Sequence, residues 1–218
     1  MVNYSSKPRY DIADLVAITH ILRSPGGCPW DQAQTHHSIR RNFIEETYEV
    51  CEALDRDDLE LMKEELGDVL LQVVFHADIE ADRGRFTFDD VCDRVCKKLL
   101  FRHPHVFGGD ESKSWEDCKA LEKGQTTAAE KLDAVARTLP ALWRAEKLVN
   151  KAEKNGLAPE AARPDALTRA VEALDGAADP QAALGAVLLA AAAYAAHREI
   201  DPEAALHGAC ETLIQDAV

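Results

Sequence analysis

The sequence has no apolar run long enough to cross a bilayer. Its most apolar stretch, "AALGAVLLAAAAYAA" at residues 182–196, falls short of the roughly 20 residues a membrane helix needs, which leaves a buried helix. The opening "MVNYSSKPRYDIADL" turns charged before any apolar run develops. That is unlike a secretory signal, so a cytoplasmic protein is expected. Positive charge is also scarce. With 25 Lys+Arg against 39 Asp+Glu and a net charge of −14, the chain lacks the basic footprint that a nucleic-acid polymer requires. A polyphosphate is a different matter, because bound metal ions can supply the missing positive charge. The six cysteines (Cys28, Cys51, Cys92, Cys96, Cys118 and Cys210) include no CxxC knuckle. Cys92 and Cys96 followed by His103 and His105 therefore lack the spacing of a common structural zinc site, and free thiols in a reducing compartment are expected. No stretch shows sustained strand alternation, so the fold class is all-α.

What is present is helical period. Residues 11–23 place Ile12, Leu15, Val16, Thr19 and Leu22 on one face, and "SPGGCPWD" ends that helix. A second helix from about Ser38 to Leu54 carries Ile39, Phe43, Val50 and Leu54 inward. A third, from about Asp58 to Ala81, turns Leu59, Met62, Leu66, Val69, Leu70, Val73 and Ala77 to the core. Thr87 and Asp90 form a capping box opening a fourth helix, which "HPH" ends, and Ser114 with Asp117 repeats the signal before a short helix holding Trp115 and Lys119. The polar "EKGQTTAAEK" reads as a linker. This predicts a first domain over 1–123, a linker over 124–136 and a second helical domain over 137–218, whose helices start near Pro140, Pro164, Pro180 and Pro202.

The second and third helices are joined by only "DRDD", so they are expected to pack as an antiparallel hairpin. Glu46 and Glu49 lie one turn apart beside the apolar stripe of the one, and Glu65 and Asp68 beside that of the other. Hairpin register sets Glu49 level with Glu65 and Glu46 level with Asp68. Four carboxylates converging between two helices raise one another's pKa values and strain the fold unless a hard cation holds them together. Mg²⁺ takes oxygen ligands of this kind and keeps room for waters or substrate phosphates. The competing readings are solvated helix-flank glutamates and a di-iron carboxylate bundle. The latter needs Glu-x-x-His motifs, and three residues before His76 stands Val73.

"EETYE", fifteen residues, then "ELGD" is similar to the EExxE…ExxD signature of the MazG family of nucleoside triphosphate pyrophosphohydrolases. "GCPWDQAQTHHSI", "GDVLLQVVFHA", "GRFTFDDV", "KKLLFRHPHVF" and "SWEDCKALEK" also resemble that family and follow in its order, over about residues 12–123. The resemblance implies an all-α MazG-like bundle and Mg²⁺-dependent hydrolysis, with Mn²⁺ as a substitute, of NTPs or dNTPs to the monophosphate and pyrophosphate. It further implies a house-cleaning role in the nucleotide pool and a homodimer. Carried over by position, Glu46, Glu49, Glu65 and Asp68 would hold the metal. Lys98 and Arg102 would meet the triphosphate, Trp115 and Lys119 the nucleotide, and Glu49 or Glu45 would take the proton of the attacking water. Trp30 would line a base pocket or anchor its loop.

The C-terminal region echoes this text: "ALGAVLLAAAAYAA" against "ELGDVLLQVVFHA", and "VEALD" against "CEALD". Alignment puts Ala166, Arg169, Ala183 and Ala186 at the positions of Glu46, Glu49, Glu65 and Asp68. The region thus reads as a second, degenerate copy that keeps the apolar frame and lacks the oxygen ligands. Two other functions compete with the enzyme: a noncatalytic nucleotide-sensing or partner-binding protein, and phosphoribosyl-ATP pyrophosphohydrolase. The intact ligand set disfavours the first, and "CPWD" with "FRHPHVF" disfavours the second.

Overall fold

The computed structural model describes residues 4–109 and 114–217, apart from the side chain of Asp117. The proposed Ser114–Asp117 cap involves that side chain and so lies outside the described residues. Among the described residues there is helix and no strand, and none of the helices is long and apolar enough to cross a membrane. Two compact units divide the chain, Met1–Asp110 and Glu111–Val218.

The first unit runs α1 (Ile12–Arg23), α2 (Pro29–Ala33), α3 (Arg40–Asp55), α4 (Leu59–Ala81), α5 (Phe88–Arg102) and α6 (Pro104–Phe107). Local chemistry sets the ends. Asp11 and Asp14 form a reciprocal capping box on α1, and Thr87 with Asp90 does the same on α5. Asp58 caps α4 by accepting the Glu60 and Leu61 backbone N–H groups, and Asp57 takes the left-handed conformation (φ 52°) that closes the hairpin turn. After α1 the chain turns so tightly that a Cβ on Gly27 would sit 2.3 Å from the Ile21 carbonyl oxygen, so only glycine fits there. "SPGGCPWD" and "HPH" end α1 at Arg23 and α5 at Arg102 as expected, and their prolines also begin the short α2 and α6. In each the proline occupies the first turn, where its fixed φ suits helix and its missing N–H costs nothing.

The α3–α4 hairpin is the dominant packing of this unit, with α1 across α4 and α5 following on α4. Ile39, Phe75 and Ile79 make the core, with Val74 and Ala77 buried beside them. The core sits at the α4 C-terminal end. Leu54, Leu59, Leu66 and Leu70 were expected inward but are exposed, Leu66 at 51% and Leu70 at 39%. The apolar stripe of the hairpin is wider than α1 and α5 can cover.

The same end carries a buried charge network. Asp78 accepts from Arg23 Nε at 2.7 Å and lies 3.0 Å from His20 Nδ1, while Arg23 also reaches Asp82 at 2.8 Å. Glu80, only 5% exposed, accepts from Arg83, Arg85 and His36. The His36 hydrogen bond, more than the two arginines, holds its carboxyl down at about 2.

The second unit runs α7 (Trp115–Glu122), α8 (Ala128–Asp133), α9 (Ala141–Lys154), a 3₁₀ turn (Glu160–Ala162), α10 (Ala166–Glu172), α11 (Pro180–Ala196) and α12 (Pro202–Gln215). Two expectations change. The unit begins before α7, which the sequence reading grouped with the first domain, and the expected linker 124–136 contains α8 packed on α9. Thr127 and Glu130 start α8 as a capping box, a signal that the polar composition around it obscured. Within this unit α10 and α11 pack together and α9 packs on α11, as α1 packs on α4 in the first unit. Ala190, Ala192, Ala193 and Ala195 are buried, and their small side chains allow close helix approach.

Candidate active site

The hairpin brings Glu46 and Glu49 on α3 to Glu65 on α4, with one carboxylate oxygen of each within 4.8 Å of the others. This follows from register alone: i,i+3 spacing on α3 presents two carboxylates to the facing turn of α4. Asp68 lies outside that tight group but acts on it electrostatically. Partial burial is the largest influence raising the Glu46 carboxyl above its ordinary range, followed by a hydrogen bond with Glu49 and the charges of Asp68, Glu49 and Glu65. Burial likewise leads in raising Glu65, with Glu49 and Asp68 as the strongest repelling charges.

Such a cluster has only acceptor oxygens and no basic side chain among its close members. It therefore fits a hard divalent cation better than a softer metal, which prefers thiolate or imidazole. A second acidic group, His20, Asp78 and Asp82, differs on this point. The Arg23 guanidinium already bonds both of its carboxylates, so the chain supplies the cation itself. Among the described residues the Cys92, Cys96, His103 and His105 set forms no such group.

The remaining expected residues divide between the units. Glu45 is not in that tight carboxylate group and pairs with Arg41 at 2.7 Å. Lys98 and Arg102 lie one turn apart on α5, Lys98 half-buried and Arg102 buried. Trp115 and Lys119 belong to α7 in the second unit, with the Lys119 ammonium 4.7 Å from the indole centroid. Trp30 is 59% exposed on α2. In the second unit Ala166 and Arg169 stand on α10 and Ala183 and Ala186 on α11, so the aligned positions carry no carboxylate. Arg169 is engaged instead by Glu160 at 2.9 Å.

Sequence reasoning left His36 unassigned. Its Nδ1 lies 2.8 Å from His76 Nδ1 while its Nε2 meets Glu80, and the rings stack at 5.0 Å. Burial lowers the His76 pKa, and the neighbouring His36 lowers it further. The two histidines are forty positions apart, so no local pattern signals the contact.

Residues 34–107 match the family model of the MazG nucleotide pyrophosphohydrolase domain. The chain is 40% identical over 211 residues to the nucleoside triphosphate pyrophosphohydrolase/pyrophosphatase MazG of Thermotoga maritima, covering 93% of this chain and 82% of that protein. It is 41% identical over 150 residues to the nucleoside triphosphate pyrophosphohydrolase of Escherichia coli K12, covering 65% of this chain and 57% of that one. The Mycobacterium tuberculosis nucleoside triphosphate pyrophosphohydrolase is 42% identical over 165 residues, with 72% and 49% covered. The chain thus spans most of the Thermotoga protein and about half of the other two.

Proposed function

The chain belongs to the MazG nucleotide pyrophosphohydrolase family, and we infer from that premise that it hydrolyses nucleoside triphosphates to the monophosphate and pyrophosphate on the α3–α4 hairpin. Enzymes of this type are metal-dependent. The observation that carries the assignment is the convergence of Glu46, Glu49 and Glu65 with Asp68 in electrostatic reach.

These four carboxylates would hold Mg²⁺ or Mn²⁺, which when bound neutralises phosphate charge and makes a water more acidic. The protein's own groups do the rest. Glu49, inside the cluster, or Glu45, held by Arg41, would take the proton of the attacking water at a carboxylate oxygen. Lys98 and Arg102 offer ammonium and guanidinium donors to the triphosphate, and Trp115 offers an indole face to the base with Lys119 beside it. A house-cleaning role in the nucleotide pool agrees with this chemistry. Incubating the protein with an NTP and Mg²⁺ should release NMP and pyrophosphate as first products. First release of NDP and orthophosphate would overturn the assignment.

Residues from about 137 onward are proposed to be a degenerate copy of the first unit, supported by the repeated helix order and the aligned motifs. Both helix pairs leave apolar side chains open at aligned positions: Leu66 and Leu70 on α4, Leu184 and Leu188 on α11, each at least 39% exposed. Faces of this kind are covered in a stable protein, and a second copy of the chain is the proposed cover. Light scattering on the eluting peak should give the mass of a homodimer, twice 24.0 kDa; a monomer at micromolar concentration would exclude it.

A further inference from the structure

The second unit holds a cavity of about 510 Å³ between α7, α8 and α9. Lys119, Lys131, Lys147, Lys151 and Lys154 line it, and Glu116 is the single carboxylate among the lining residues. In a chain with 39 acidic and 25 basic residues, that lining inverts the overall composition. Lys147, Lys151 and Lys154 follow at i, i+4 and i+7, so one face of α9 presents all three.

Some of this charge is locally engaged. Lys154 pairs with Glu116 at 3.1 Å, and Lys131 donates to the Asn155 side-chain oxygen at 2.8 Å. The Lys147 and Lys151 side chains have no ion-pair partner among the described residues. Burial pushes the Lys151 amine below its usual range, and repulsion from Lys123, Lys131 and Lys147 adds to that effect against the attraction of Glu116. Lysines in the last turn of α9 complement the helix dipole, which accounts for Lys151 and Lys154. It does not account for Lys147, nor for lysines from three helices converging on one cavity. A multiply charged anion would relieve the like-charge crowding. Lysine ammoniums bind phosphate oxygens as point charges, and the cavity volume falls within the roughly 300–1,000 Å³ typical of small-ligand sites.

We propose that this cavity binds a polyphosphate anion through Lys131, Lys147 and Lys151, as a site built by the second unit without catalytic carboxylates. It shares Trp115 and Lys119 with the substrate contacts proposed above and rests on that reading at those two residues only. The anion is free pyrophosphate or the phosphate chain of a nucleotide.

The test is isothermal titration of the full chain in excess EDTA, at fixed ionic strength, with inorganic pyrophosphate and separately with ATP. Pyrophosphate should bind, and Lys147→Gln with Lys151→Gln should weaken it by about tenfold or more, the scale of losing charge-assisted hydrogen bonds. Glu65→Gln should leave this metal-free binding unchanged. Tighter binding of ATP than of pyrophosphate, weakened in step with it by the lysine substitutions, identifies a nucleotide; equal affinity identifies free polyphosphate. If the double variant melts early, the exposed Lys147→Gln alone carries the comparison. Absent heat with both probes, unchanged affinity in the lysine variants, or equal affinity for citrate would overturn the proposal. Hydrolysis persisting without this binding would sink this site alone. Binding that persists in a protein unable to hydrolyse any NTP would instead sink the catalytic reading.

Discussion

Glu49→Gln, Glu65→Gln or Asp68→Asn is expected to lower kcat on any accepted NTP by at least about a thousandfold, since losing several kcal/mol of charge stabilisation at the phosphates costs a factor of ten per ~1.4 kcal/mol. The metal-free fold should not suffer with it. Glu46 and Glu65 are held above their ordinary pKa by burial first and then by the surrounding carboxylates, so neutralising one member relieves repulsion on the others. Melting temperature in EDTA should therefore stay level or rise while turnover disappears. A structural role would show the reverse, a lower melting temperature with activity falling in proportion to unfolded protein. The loss should also be complete in the full chain. Ala166, Arg169, Ala183 and Ala186 give the second unit no oxygen ligands with which to substitute. Residual turnover in Glu65→Gln, traced to the second unit, would show that the alignment of the two copies is wrong.

The carboxylate site was legible because every step to it is local. A helix period, a four-residue turn and two i,i+3 pairs fix which side chains face each other, and the structure gathers Glu46, Glu49 and Glu65 with Asp68 outside that group. Long-range features were not. The Arg23–Asp78 and His36–Glu80 contacts join residues 55 and 44 positions apart, and in sequence Asp78 and Glu80 look like any solvated charges near a helix end. Exposed Leu66 and Leu70 show the complementary failure. Periodicity marks which side of a helix is apolar, but it does not say whether the cover comes from the same unit. In "CPWD" and "HPH" the end of one helix was legible, but the helix each proline begins was not, because α2 and α6, at five and four residues, are too short to show a period. The α9 lysines had a readable spacing, yet their meaning depends on Lys119 and Lys131 arriving from two other helices.

Removing the divalent metal should abolish turnover, and adding back Mg²⁺ or Mn²⁺ should restore it; unchanged hydrolysis in excess EDTA would end the carboxylate-cluster assignment. The same removal should change how stability depends on pH, a readout independent of activity. In the metal-free protein Glu46 and Glu65 have raised pKa values, so the folded state binds protons there more readily than the unfolded chain. Their contribution is fully present below the ordinary carboxylate value and is lost as pH rises through the raised values. Melting temperature in EDTA should accordingly increase as pH is lowered from neutrality toward the ordinary glutamate value of 4.5. Below that value the trend should reverse, because Asp14, Glu80 and Glu130, each depressed to about 2, then begin to lose their partners. With excess Mg²⁺ the ion competes with protons for the same oxygens. Metal at a hundred times its Kd adds about 2.7 kcal/mol by mass action near neutral pH, and that gain fades on acidification. The two melting curves should therefore converge as pH falls from 7 toward 5, and Glu46→Gln should flatten the slope in EDTA. Parallel curves with and without Mg²⁺ would mean that protons and metal do not share a site, and the cluster would lose its role as the metal centre.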